Sequence, residues 1–313
     1  MILDAQWYES IMKRIFYFNI TYKCNSACIY CYSHNTNVNA ERKDITLKNF
    51  MRFCKKYNIG KQDRVILNGG EPFLCEDIEH ILNLLYTIGC EILVYTNGRL
   101  LSRANDYLHG HNIRIIIPVH GYEGLHDKIT GRKGNFRETF DGITKLQNSG
   151  FDGKIDYKII LNQMMCENEL SWERCKELFV MLNNYNATHI TKMDRTIVSE
   201  RNSVPILDRV GLAEYTKQIF QLFALKGNEI KIFDTCVKKI SQLIDMKGVV
   251  KNKLTDYCVY AGDYCHDEIL SLDKSVSSYK ACLHCNLRKV CMSAVKSYRV
   301  LKYKNGMFSI DWE

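Results

Sequence analysis

The chain has 313 residues, 46% hydrophobic and 25% charged, with three prolines and fourteen cysteines. That length allows one large domain or two with ample core, and no run of about 18 uncharged apolar residues offers a membrane span. The net charge of +8 is spread without an Arg-rich block, so it reads as a solvated basic surface; attraction to an acidic peptide or nucleic acid is the minority reading. Met1 to Lys13 carries Asp4 and Glu9 and lacks an apolar signal core, so a cytoplasmic location is expected. There, thiols serve metals rather than disulfides.

In chain order, residues 1–14 form an amphipathic lead-in and 15–20 a strand. After a polar loop, Asp44 or Thr46 caps a helix running to about Tyr57, which Gly60 ends. Strand 64–68 is followed by helix 75–88, strand 91–96 by helix 99–109, and strand 113–119 by helix 135–149. Strand 154–161 then precedes helix 170–185 and strand 187–193. The apolar runs are short and β-branched, and Phe140, Ile143 and Leu146 line one helix face. Six strands alternating with helices predict right-handed βαβ units around a parallel sheet, an α/β partial (β/α)6 TIM-like barrel over 1–246. A loop at 197–208, a helix near 210–225 and a strand–helix pair near 230–245 follow. Residues 247–253 lead to a small Cys-rich module over 247–313.

The first strand runs into Cys24, Cys28 and Cys31, three thiols at spacings that let one loop wrap a single metal centre. A structural zinc site wants four closed ligands, and His34, three residues past Cys31, reads as a solvated loop residue. Three thiolates on a four-iron cluster leave one iron open, as needed to bind and cleave a ligand. Gly69-Gly70-Glu71-Pro72 closes the run Val65-Ile66-Leu67, and Thr96-Asn97-Gly98 closes Ile92 to Tyr95. All three motifs fall at strand carboxyl ends, where the chemistry of such sheets sits.

These residues resemble the radical S-adenosylmethionine (SAM) superfamily, whose loop pattern is C-x-x-x-C-x-aromatic-C, with Tyr30 as the aromatic. The resemblance spans about Ile15 to Cys291. It implies that Cys24, Cys28 and Cys31 hold a [4Fe-4S] cluster with an open iron. SAM would be chelated there and cleaved by one electron to a 5′-deoxyadenosyl radical that abstracts hydrogen from a substrate. By the same resemblance Gly69, Gly70, Glu71 and Pro72 grip the SAM amino group, Glu71 accepting from the ammonium, and Tyr30 lies in the adenine region. Asn97 and His120 are placed at the ribose, and Arg195 is a candidate partner of the SAM carboxylate. His126-Asp127 and Gly131 to Phe136 look like a stretch common in the peptide-modifying branch.

Beyond Tyr257, Cys258, Cys265, Cys282, Cys285 and Cys291 cluster around an expected hairpin of 268–273 and 276–279. A four-cysteine zinc ribbon is one reading. The resemblance favours a twitch- or SPASM-like module with one auxiliary [4Fe-4S] cluster, although the pattern's next cysteine would fall near Val295. Five thiols exceed the ligand positions, so the spare one stays open. Cys54, Cys90 and Cys175 read as core residues, and Cys75 as packing at a helix start. Cys166 and Cys236 follow predicted strands, where a thiol can donate hydrogen to a substrate radical; Cys236 is the candidate catalytic donor.

The expected substrate is a ribosomally made peptide, modified by epimerisation or by a thioether or carbon–carbon crosslink. Too few residues precede Cys24 for a winged-helix leader-binding domain, so the barrel or a separate protein would read the leader. A flavodoxin- or ferredoxin-type donor would supply electrons. The alternative is a small-molecule dehydrogenase of antibiotic or cofactor synthesis. A molybdopterin-synthesis cyclase ranks lower, because Met307 to Glu313 lacks a paired-glycine tail. A non-catalytic iron–sulfur or zinc sensor has no need of the SAM-gripping motif, and no aromatic–basic RNA-binding sheet pattern is present.

Overall fold

The computed structural model describes residues 14–31, 44–109 and 112–182, together with short segments of helix and strand from 187 to 312. The first half alternates strand and helix. Strand β1 (Arg14–Thr21) precedes helix α1 (Leu47–Lys56); β2 (Arg64–Gly69) precedes α2 (Ile78–Ile88). Next come β3 (Glu91–Tyr95), the short α3 (Leu101–Ala104) and β4 (Ile113–Val119). Two consecutive helices, α4 (Glu123–Thr130) and α5 (Asn135–Asn148), lead to β5 (Lys154–Leu161), α6 (Glu169–Leu182) and β6 (Ala187–Lys192). Later strands are β7 (Glu229–Ile232), β8 (Val249–Val250), β9 (Cys258–Asp263), β10 (Glu268–Ser271), β11 (Arg299–Lys304) and β12 (Met307–Trp312).

Strands β1 to β7 pair in sequence order and in parallel, and β9 adds a further parallel strand beside β1. This is the expected α/β partial barrel; among the described residues the strand order is linear and ends at β10 and β8. Alternation along the strands explains why both faces are dry. Ile15, Ile66, Leu93 and Ile116 form one buried cluster. Phe16, Phe18, Val65, Leu67, Ile92, Val94, Ile115 and Ile117 belong to the larger one, which takes in the helices. No described helix is long and apolar enough to cross a membrane.

Several boundaries differ from expectation. Thr46, not Asp44, caps α1: its side chain accepts from Asn49 N, while Asp44 takes the Thr21 hydroxyl at 2.7 Å. Gly60 does not end α1. The helix stops at Lys56, and Asn58 takes the left-handed turn at φ 45°, a conformation asparagine tolerates. Residues 75–77 precede α2 rather than belonging to it; Pro72–Leu74 make a single 3-10 turn. The expected helix over 99–109 shrinks to Leu101–Ala104, whereas α4 forms where the sequence shows only a motif. Strand β10 is a hairpin arm as expected, but its described antiparallel partner is β9, upstream of it. The expected return arm at 276–279 lies outside the described residues. Strands from beyond residue 247 extend both margins of the sheet.

Candidate functional site

Strand β1 delivers the chain to Cys24 just past a register shift between Asn19 and Thr21, where Thr21 faces Gly69. The two glycines that follow β2 are required by the chain's own backbone. A Cβ on Gly69 (φ +136°) would lie 2.2 Å from Thr21 O, and one on Gly70 2.2 Å from Lys23 O. Without them, Gly70 N donates to Thr21 O at 2.8 Å and Glu71 N to Lys23 O at 2.7 Å. The glycine pair thus docks the end of β2 against the root of the cysteine loop.

Glu71 is fully buried and its carboxylate is a hub. Oε1 accepts from Thr96 Oγ1 (2.7 Å) and Phe73 N (3.2 Å), and Oε2 from Asn97 N (2.8 Å). Burial pushes its pKa up to about 7 against the pull of these hydrogen bonds and of Arg99. The carboxylate therefore ties the ends of β2 and β3 together. Pro72 is buried at the start of the 3-10 turn.

The cysteine loop is stitched to later elements residue by residue. The Arg99 guanidinium donates to Asn25 O, and Asn97 Nδ2 donates to Asn25 Oδ1 at 2.6 Å. Asn135 Nδ2 donates to Ser26 Oγ at 2.9 Å. Ala27 N and Ile29 N donate to Thr130 O and Ile129 O, both at 2.9 Å. Gly131 (φ +67°) lies so close that a Cβ would meet Ala27 O at 2.4 Å. Asp127 in turn accepts from Gly134 N and, at 2.8 Å, from Phe136 N, fixing the start of α5. The His126-to-Phe136 stretch is thus a clamp on the cysteine loop. Sequence reasoning misses this clamp, Asn25, Ser26, Arg99 and Asn135 above all; its available signal is the density of Asn, Gly and Asp in a helix–turn–helix connection.

Cys24, Cys28 and Cys31 are all half-buried free thiols on this loop. Burial raises Cys24 and pushes Cys28 up to about 12, with the neighbouring Cys31 and Cys24 adding to the rise at Cys28. Cys31 N donates to Cys28 O at 3.0 Å, so these two share one turn of the loop, although among the described residues no three ligating side chains gather closely enough to hold a single ion. A three-thiol donor set on one fixed loop fits the larger four-iron cluster. Tyr30 packs inward, its hydroxyl 2.8 Å from His120 Nε2. His120 and His126 are both buried, with ring centroids 5.3 Å apart. Burial holds His120 well below the ordinary imidazole range and lowers His126 to about 4.

Residues 18–179 match the Radical SAM superfamily, more than half of the chain. The protein belongs to the radical SAM superfamily. Its members are enzymes. The chain is 31% identical over 150 residues to a probable GTP 3′,8-cyclase of Methanocella arvoryzae, covering 46% of this chain and 45% of that protein. It is 24% identical over 132 residues to the sporulation killing factor maturation protein SkfB of Bacillus subtilis, covering 42% and 32%. These matches span less than half the length of either relative. In fold, SuiB of Streptococcus suis bound to S-adenosylmethionine superposes with a TM-score of 0.64 at 13% identity, over 91% of this chain and 73% of that one.

Of the other sequence candidates, Asn97 sits at the end of β3 between Glu71 and Asn25, and His120 directly follows β4. Cys54, Cys90 and Cys175 are core residues as expected, and Cys75 is buried with its thiol on Ile45 O. Cys166 ends a 3-10 turn after β5, and burial pushes its thiol up to about 12 against a hydrogen bond to Tyr215. Cys258 opens β9 beside Arg14. Arg195, Cys236, Cys265, Cys282, Cys285 and Cys291 lie outside the described residues.

Proposed function

We propose that the chain is a radical SAM enzyme of the cytoplasm that modifies a ribosomally made peptide by epimerisation or by a thioether or carbon–carbon crosslink. The observation that carries the radical SAM chemistry is the convergence at the strand carboxyl ends. There the Cys24–Cys31 loop is locked by Gly69, Gly70, Glu71, Asn97 and the His126-to-Phe136 clamp. When bound, the cluster supplies the electron that breaks the SAM sulfonium bond, an external flavodoxin- or ferredoxin-type protein being its source.

The chain's own residues do the positioning. The three thiols take the cluster, which requires them to lose their protons, so loading is favoured by rising pH. Gly69, Gly70, Glu71 and Pro72 would hold the SAM amino group, Tyr30 would lie in the adenine region and Asn97 and His120 would contact the ribose; Arg195 is the candidate for the carboxylate. Cys258, Cys265, Cys282, Cys285 and Cys291 supply an excess of thiols for one auxiliary [4Fe-4S] cluster in a C-terminal module from about residue 247. Cys236 remains the proposed hydrogen donor should the product be an epimer.

The peptide reading is supported by similarity to a killing-factor maturation protein and by the fold shared with SuiB, which has also been solved with its precursor peptide SuiA. A small-molecule reading is favoured by the 31% identity to a probable GTP 3′,8-cyclase. Measuring 5′-deoxyadenosine release with the small peptides encoded beside the gene, and separately with GTP, decides between them. Stimulation by a peptide supports the first reading; stimulation by GTP alone replaces it with the second.

A further inference from the structure

Ala27 lies between Cys24 and Cys28 on the cysteine loop and is exposed. The loop therefore reaches the surface between two of its thiols. What it meets there is the connection between α4 and α5. Ala27 N donates to Thr130 O at 2.9 Å, and a Cβ on Gly131 would lie 2.4 Å from Ala27 O.

That connection is basic. Lys128 near the end of α4, Arg132 and Lys133 in the turn, and Arg137 in the first turn of α5 are all exposed. The carboxylates around them answer only part of this charge. Glu123 takes Arg137 at 2.6 Å. Glu138 is shared between Arg132 at 3.3 Å and the inner Arg99 at 2.5 Å. Asp127 turns inward onto Gly134 N and Phe136 N. Among the described residues no ion pair reaches Lys128 or Lys133, so positive charge is left in surplus beside the bare stretch of the loop.

We infer that exposed Ala27 and the turn carrying Lys128, Arg132 and Lys133 form the docking site of an acidic one-electron carrier protein, which reduces the cluster held by Cys24, Cys28 and Cys31. In this step one electron leaves the reduced carrier, which is oxidised, and passes to the cluster; no atom is transferred. Electron transfer weakens steeply with distance, so a carrier has to dock where the loop itself is bare. Redox encounters use small interfaces steered by complementary charge, and a compact basic turn suits them. An acidic substrate peptide would share the charge complementarity, but it has no need of the exposed residue between two cluster thiols. The inference rests on the radical SAM reading above and gives its electron donor a place on the chain.

The test uses the reconstituted full-length chain without oxygen and two reductants. Dithionite is small and needs no docking site; the other is a reduced flavodoxin of net negative charge. Cluster reduction is followed by rapid-freeze electron paramagnetic resonance. The quantity read is the rate with flavodoxin divided by the rate with dithionite, which cancels any loss of cluster. Lys128→Glu/Lys133→Glu is expected to lower that ratio about tenfold at low ionic strength, and Lys128→Gln/Lys133→Gln to lower it less. Added salt is expected to bring wild type and variants together. Lys55→Glu/Lys61→Glu makes the same change of charge at the end of α1 and before β2, and is expected to keep the wild-type ratio. A ratio for Lys128→Glu/Lys133→Glu equal to that of wild type overturns the inference, even where both rates fall together, as they would if the turn held the peptide instead. An equal drop in the Lys55→Glu/Lys61→Glu variant overturns it too, as does a wild-type cluster that dithionite reduces and flavodoxin does not. A wild-type chain that assembles no cluster, or one that neither reductant reduces, overturns the radical SAM reading and this inference with it.

Discussion

Asn135, the first residue of α5, donates its side-chain amide to the hydroxyl of Ser26 at 2.9 Å, a buried bond between residues 109 positions apart. It joins the helical half of the barrel to the middle of the cysteine loop. Asn135→Ala removes a donor from Ser26 Oγ and an acceptor from His126 Nε2 and Thr139 Oγ1. Thermal or denaturant unfolding of the cluster-free protein should register a loss of about 1–3 kcal/mol, and iron analysis after reconstitution should find fewer irons per chain. Full loading at unchanged stability would mean that Asn135 does not clamp the loop.

Two glycines of that connection separate strain from collision. Gly131 and Gly134 both have positive φ, +67° and +80°, but only at Gly131 would a Cβ strike the loop, whereas Gly134 has nothing within 4 Å. Gly134→Ala should cost about 1 kcal/mol in strain and leave cluster loading unchanged. Gly131→Ala should cost more and lower loading, because the Ala27 carbonyl must move. Iron content at matched protein concentration separates the pair.

Glu71→Ala leaves the Thr96 hydroxyl and the Asn97 and Phe73 amides without their acceptor. At about 1–3 kcal/mol for each buried orphan, the variant should unfold at far lower denaturant. Glu71→Gln keeps one acceptor oxygen and should fall between. A stability like that of wild type for both would mean the carboxylate is not a strut between β2 and β3.

The buried histidines set an acid limit. Both imidazoles have folded pKa values below their unfolded ones, His126 at about 4, so the unfolded chain binds protons that the folded chain refuses. Stability is therefore fully present above about pH 6.5 and declines as pH falls toward 4, by up to ~3 kcal/mol for His126 alone. A His126→Gln variant of the cluster-free protein should lose less stability over that range than wild type. Parallel curves would contradict the assignment.

The barrel is legible in the sequence because it is written in local signals: β-branched runs such as Ile113 to Val119, closed by Gly or Asn and spaced by helical periods. The thiols and the Gly69-Gly70 turn are legible because few other roles suit those residues at those spacings. What local pattern does not carry is pairing at a distance. Nothing near Ser26 points to Asn135, and nothing near Tyr30 points to His120, since both contacts exist only once the sheet brings its carboxyl ends together. The close approach of the glycine pair to Thr21 and Lys23 is likewise something a one-dimensional pattern does not contain. Helix boundaries differ where capping is decided by tertiary partners, as with Asp44, which is engaged by Thr21 and Lys23 rather than by α1.

SAM cleavage at the Cys24–Cys31 loop is measured as 5′-deoxyadenosine formation from S-adenosylmethionine under reducing, oxygen-free conditions. Wild-type chain and a Cys24→Ala/Cys28→Ala/Cys31→Ala variant should be compared at equal concentration after reconstitution. Release is expected from the wild type and none above background from the variant, with a matching loss of iron. Release by the variant at the wild-type rate would contradict a cluster held by these three thiols.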